Sequence, residues 1–135
     1  MLKINKSFTI NDYIEFRRLS NWKEISLEQA SNSVINSAYL ISVSNEDNIL
    51  GIARCISDMG YLFLICDVMV RPDCQGKGIG KMLVEGLINM IKEDNKGNYY
   101  KIYIMSLKGK EGFYKACGFD DSKATGLLIE HMEEK

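Results

Sequence analysis

Gln75-Gly76-Lys77-Gly78-Ile79-Gly80-Lys81 places glycine at alternate positions with two lysines between and beside them. Glycines let a backbone approach a ligand closely, and the first turn of a helix leaves N–H groups without partners at its electropositive end. Such a loop, opening a helix, makes a pyrophosphate site. A Walker A loop needs a hydroxyl residue after the Gly-Lys pair, and Gly78 stands there. A dinucleotide fingerprint needs G-x-G-x-x-G, and the spacing here is G-x-G-x-G. Two further residues have chemistry to offer. Asp67 is the one charge in the apolar run Cys66 to Val70, so it must be paired, hydrated or functional. Tyr114 carries a phenol that is protonated at neutral pH and can donate to a leaving group.

These residues need a strand, a turn and a helix in that order. Tyr61 to Val70 is apolar and β-branched, and Pro72 ends any ladder because it has no N–H to give. From Ile79 the apolar positions 79, 82, 83, 84, 87, 88, 90 and 91 fall on one helical face and predict a helix to Asp94. Gly86 within it costs roughly 1 kcal/mol relative to alanine, and close packing on a sheet is the reason to keep it. Upstream, Leu2 to Phe8 reads as a strand, Thr9 or Asn11 caps a helix to about Ser20, and Ser26 with Gln29 forms a capping box for a second helix. Tyr39 to Ser44 and Ile49 to Ser57 are strands joined by tight turns, hence antiparallel. Tyr99 to Ser106 follows the long helix, so it should run parallel to Tyr61 to Val70 through a right-handed crossover. Lys110 to Cys117 is a short helix ended by Gly118, with Phe113 and Phe119 as core, and Gly126 to Met132 a last strand. The expectation is one α/β domain over residues 1–135, a central mixed sheet flanked by helices.

Gln75, Gly78 and Gly80 match Q/R-x-x-G-x-G/A at every fixed position, and Phe113-Tyr114-Lys115-Ala116-Cys117-Gly118-Phe119 has the form FYxxxGF. In this order the two segments resemble the GNAT superfamily of acyl-CoA-dependent N-acyltransferases, from Ile49 to Phe119. The resemblance implies that acetyl-CoA is a co-substrate, with its pyrophosphate on the backbone of Gln75, Gly76, Lys77, Gly78, Ile79 and Gly80 and added charge from Lys77 and Lys81. It implies that the two parallel strands splay and that Val68, Met69 and Val70 hold the pantetheine arm, the Val68 N–H nearest the acetyl group. An amide aimed at developing oxyanion charge is worth about 3 kcal/mol. Tyr114 is then the general acid for the departing thiolate; Asp67 is the base, or a carboxylate anchored by Arg54 or a tyrosine. Trp22, Arg54, Asp58 and Tyr61 are candidates for the acceptor pocket, Trp22 from the turn of the α-helical hairpin that forms one wall in this family. Many members carry an asparagine seven residues before the tyrosine, where this chain has Leu107, so the loop from Ser106 to Gly112 must hold the cofactor differently.

The remaining composition narrows the function. With 17 basic and 18 acidic residues the net charge is −1, which argues against nucleic acid as the main partner, an aminoacyl-tRNA acceptor included. Cys55, Cys66, Cys74 and Cys117 have no C-x-x-C spacing and read as reduced thiols of a cytoplasmic protein. One histidine, His131, and scattered cysteines give no metal site. No run reaches the ~18 apolar residues of a membrane span, and the first residues lack a signal-peptide core. The expected reaction is direct transfer of acetyl from acetyl-CoA to a primary amine in a ternary complex. Asp58 and Asp67 favour a small cationic acceptor; a protein lysine or N-terminus is the alternative, and a CoA-binding sensor without turnover the reading from another class. Dimers are common in the family, and the edge of Gly126 to Met132 is the one to pair.

Overall fold

The computed structural model describes residues 1–131. It has two compact units, Met1–Ile104 and Met105 onward. The first unit runs β1 (Lys3–Asn5), α1 (Ile10–Leu19), α2 (Leu27–Ile35), β2 (Tyr39–Ser44), β3 (Ile49–Ser57), β4 (Leu62–Val70), a 3₁₀ turn (Pro72–Cys74), α3 (Ile79–Asp94) and β5 (Lys101–Ile104). The strands form one sheet in the order β1-β2-β3-β4-β5. The first three pairings are antiparallel and β4–β5 is parallel, as the tight turns and the helical crossover require. The long helix begins at Ile79 and ends at Asp94, and β2 and β3 coincide with the apolar runs that predict them.

Successive strand residues point to opposite faces. Ile52 and Met69 pack with Phe8, Tyr13, Phe16, Ala30 and Val34, which puts α1 and α2 on one face. A Cβ on the neighbouring Gly51 would meet Ile79 and Leu83, and one on Gly86 would run into Ile41, which puts α3 on the other. The helix therefore packs close enough to the sheet at Gly86 to exclude a methyl group. Full burial of a side chain such as Phe16 or Leu83 contributes about 2 kcal/mol.

The second unit holds α4 (Glu111–Ala116), followed by Cys117 at the C-cap and Gly118 with φ +105°. The structure corrects two expectations here. Phe113 is not a core residue, being 39% exposed, because the helix is only six residues long and Phe113 meets Tyr114 edge to face on its surface. Residues 120–131 contain no strand, although Gly126–His131 has the composition of one. Leu127, Leu128 and Ile129 are at least three-quarters exposed, and an apolar run without a ladder partner does not hold a strand. Met132 lies outside the described residues. The first strand is also shorter than its pattern, because only Lys3–Asn5 finds β2 as partner.

Candidate active site

β4 and β5 pair only over Leu62–Ile65 and Lys101–Ile104. β4 continues five residues further to Val70 with β3 on one side and, among the described residues, no strand on the other. The Arg71 N–H donates to the Leu50 carbonyl across the β3 side at 2.8 Å. Because amides alternate along a strand, those of Val70 and Val68 point to the open side. A bulge sets this phase. Between Arg54↔Cys66 and Ile52↔Met69 the β4 chain carries one residue more than β3, and Asp67 takes up the difference with φ +54°. That region is unfavourable for most side chains and tolerated by aspartate.

The open edge leads through Pro72–Cys74 into the glycine loop. Gly76 and Gly78 have φ +80° and +82°, and a Cβ at either would meet nothing within 4 Å. Glycine is needed there for its backbone angle. Gly78 is the N-cap of α3, no side chain caps the helix, and its first turn has no acidic residue. Gln75, Gly76, Lys77 and Gly78 are exposed, as is Lys81, while Ile79 is buried and fixes the helix on the sheet. The first-turn donors of α3 thus face solvent beside the open edge of β4.

Asp67 is held from two sides. Its Oδ2 accepts from the Tyr13 hydroxyl at 2.6 Å and from Arg54 Nε at 2.6 Å. The Arg54 and Asp67 side chains are 12% and 13% exposed, and removing one partner from a pair so buried costs about 3–5 kcal/mol. Arg54 also donates weakly to the Ser33 carbonyl and the Ser37 hydroxyl. Burial, then the hydrogen bond to Asp67, raises the Tyr13 pKa, so this phenol stays neutral. Burial pushes the neighbouring Cys66 thiol up to about 12, which leaves it a poor nucleophile at neutral pH. In the second unit Tyr114 is half-buried and meets the rings of Phe113 and Phe119 edge to face. Burial, then Cys117, raises its pKa above the ordinary 10.0, so the hydroxyl keeps its proton through the neutral range.

A family model of the GNAT acetyltransferase domain matches residues 10–127. The chain belongs to the GNAT acetyltransferases. An uncharacterized N-acetyltransferase of Pyropia yezoensis is 27% identical over 122 residues, covering 87% of this chain and 68% of its own length. A chloroplastic GCN5-related N-acetyltransferase of Arabidopsis thaliana is 33% identical over 75 residues, 56% of this chain and 30% of its own. A probable acetyltransferase of unknown function from meticillin-resistant Staphylococcus aureus shares the fold, with TM-score 0.83 at 23% identity over 97% of this chain and 100% of that one. The mixed sheet with helices on both faces is the α/β GNAT fold, and family membership implies acetyl-CoA as co-substrate. Among the described residues no helix is long and apolar enough to cross a membrane.

Within this GNAT domain the four acceptor-pocket candidates fall at two places. Trp22 follows the turn after α1 and packs on the α1–α2 core, and Arg54 lies beside Asp67, next to the open edge. Asp58 and Tyr61 sit in the β3–β4 hairpin, at the far end of β4 from Val68, a separation of roughly 20 Å along a strand. The Asp58 carboxylate accepts from the Gly60 N–H at 2.8 Å as a turn residue, and Tyr61 stacks on Tyr99 with ring centres 6.0 Å apart. Sequence reasoning missed Tyr13 and Arg17. They stand one turn apart on the inward face of α1, and that i, i+4 pairing of an aromatic with a cation was the available signal.

Proposed function

We propose that this domain transfers the acetyl group of acetyl-CoA directly to a small primary amine bound with it in a ternary complex. The observation that carries this reading is the continuity of the open β4 edge with the uncapped start of α3. In this reading Gln75 to Gly80 hold the pyrophosphate through their amides, with charge from Lys77 and Lys81. Val68, Met69 and Val70 hold the pantetheine arm, and the Val68 N–H polarises the thioester carbonyl. The neutral amine attacks the carbonyl carbon, and the C–S bond breaks as the tetrahedral adduct collapses. Tyr114 gives its proton to the thiolate and regains one shed by the amine nitrogen. Products are the N-acetylated amine and free CoA.

Of the two roles open to Asp67, the geometry supports the anchor. A carboxylate engaged by Arg54 and Tyr13 through one oxygen fixes the bulge and ties α1 to β4. The cationic acceptor loses its main support, because Asp67 is already paired and Asp58 lies in a distant turn. The four cysteines are free, which suits a reducing compartment such as the cytoplasm. Thiol release from acetyl-CoA, measured over a panel of primary amines, tests the proposal. Amine-dependent release with stoichiometric N-acetyl product is expected. Tight CoA binding without transfer to any small amine, peptide N-terminus or lysine would leave a CoA-binding sensor.

A further inference from the structure

Arg17, in the last turn of α1, lies between two aromatic rings. Its Cζ is 5.8 Å from the centre of Tyr13 and 5.5 Å from the centre of Trp22. Nη2 donates to the Lys23 carbonyl at 2.5 Å, while Nε is buried and has no hydrogen-bond partner. Among the described residues, no carboxylate forms an ion pair with it. Arg54 flanks the same Tyr13 ring with its Cζ 5.6 Å from the centre. The contrast between the two arginines is informative. Asp67 answers the charge of Arg54, and nothing in the described chain answers that of Arg17. A buried donor left unsatisfied costs about 1–3 kcal/mol, a cost that an acceptor carried by a ligand would offset.

Position bears on the ligand. The Tyr13 hydroxyl ends on Asp67, and the next residue, Val68, presents its amide at the open edge. Arg17 therefore packs on the ring whose hydroxyl holds Asp67, the residue next to the amide that, on the reading above, meets the thioester. A guanidinium in that place is a fork for a carboxylate or phosphate on the acceptor. We propose that the acceptor is a primary amine that also carries an anionic group, and that Arg17 selects it by binding that group. Arg17 is a specificity residue here and takes no part in bond making. The proposal rests on the transferase reading, and the experiment separates the two.

Wild-type kcat/KM is measured for amino acids against their amides, phosphoethanolamine against ethanolamine, and spermidine; the first two pairs distinguish carboxylate from phosphate. The anionic member of at least one pair is expected to lead its neutral partner by at least about tenfold, as a site built to bond a group rejects the analogue lacking it. Arg17→Gln should remove most of that preference through the acceptor KM and leave the KM for acetyl-CoA unchanged. Arg17→Lys should restore part of it. A merely structural Arg17 would lower stability or affect all acceptors alike without changing the ratio. Wild-type preference for neutral amines or spermidine overturns the proposal whatever the variants do, as does an anion preference that survives in Arg17→Gln. Trp22, the only tryptophan of the chain, reports binding without turnover. If no amine is acetylated, the transferase reading falls. Quenching of Trp22 in the CoA-loaded protein by the anionic amines alone, lost in Arg17→Gln, then upholds the anion site, and no quenching overturns it.

Discussion

The helix starts of the first unit are built in two ways. At α1, Thr9 accepts from the Asp12 N–H and Asp12 answers on the Thr9 N–H; at α2, Ser26 and Gln29 do the same. Each first turn also carries an acid, Asp12 in α1 and Glu28 in α2, which complements the dipole. The start of α3 has neither a side-chain cap nor an acid. Glycine stands at its N-cap with a positive φ, and the first turn contains Lys81. The lesson is one of division. α1 and α2 cap their own first turns and serve the fold, whereas α3 leaves its first turn uncapped, the feature on which the proposed pyrophosphate site rests.

Three substitutions test that division. Gly78→Asp places in α3 the negative charge that the other helices carry, at a positive φ that strains aspartate less than most side chains. CoA affinity by titration calorimetry is expected to fall by about a hundredfold, or ~2.7 kcal/mol, with the fold intact by circular dichroism. An affinity within twofold of wild type would mean that α3 is not the pyrophosphate site. Tyr114→Phe asks whether the second unit supplies the proton that completes the reaction. It is expected to lower kcat by roughly 10–100-fold with little change in the acetyl-CoA KM. Since the folded pKa of Tyr114 is raised above 10.0, the wild-type rate should show no falling limb from this group below pH 10, and an unchanged kcat in the variant would give the proton to water. The smallest effects belong to the capped helices. Thr9→Ala and Ser26→Ala should each cost about 1 kcal/mol in urea unfolding and leave CoA affinity as it was. A loss of affinity in either would blur the distinction between the two kinds of helix start.

The parts of this protein that local chemistry dictates were legible in the sequence. The Ser26–Gln29 capping box, the 3.6-residue period of α3 and the tight turns of β2 to β4 depend on neighbours in the chain, and they appear where their residues predict. The glycine loop was legible because positive φ leaves few alternatives to glycine. What sequence could not supply was long-range pairing. Gly126–His131 has a strand's composition but no ladder, and composition does not say whether a partner exists. Asp67 was recognisable as a carboxylate needing a partner, and Arg54 with a tyrosine were the right kinds of partner. That the tyrosine is Tyr13, 54 positions away on the facing helix, comes from packing alone. Asp58 and Tyr61 were near the site in sequence and lie a strand's length from it in space.

The bulge at Asp67 has a consequence for which sequences can replace this one. Before it, Cys66 shares a face with Arg54; after it, Met69 shares a face with Ile52, three residues on rather than two or four. The strand has in effect changed reading frame. Deleting one residue between Cys66 and Met69 would restore the two-residue spacing of a regular ladder, with Met69 still on the α1–α2 face and the Val70 amide still on the open side. What it would remove is the bulge itself, and with it either the Asp67 carboxylate that Tyr13 and Arg54 hold or Val68. Variation here should therefore come as exchange of one residue for another and not as a change in length, with asparagine favoured in place of Asp67 because it tolerates the αL angle and keeps an oxygen that accepts from Tyr13 and Arg54.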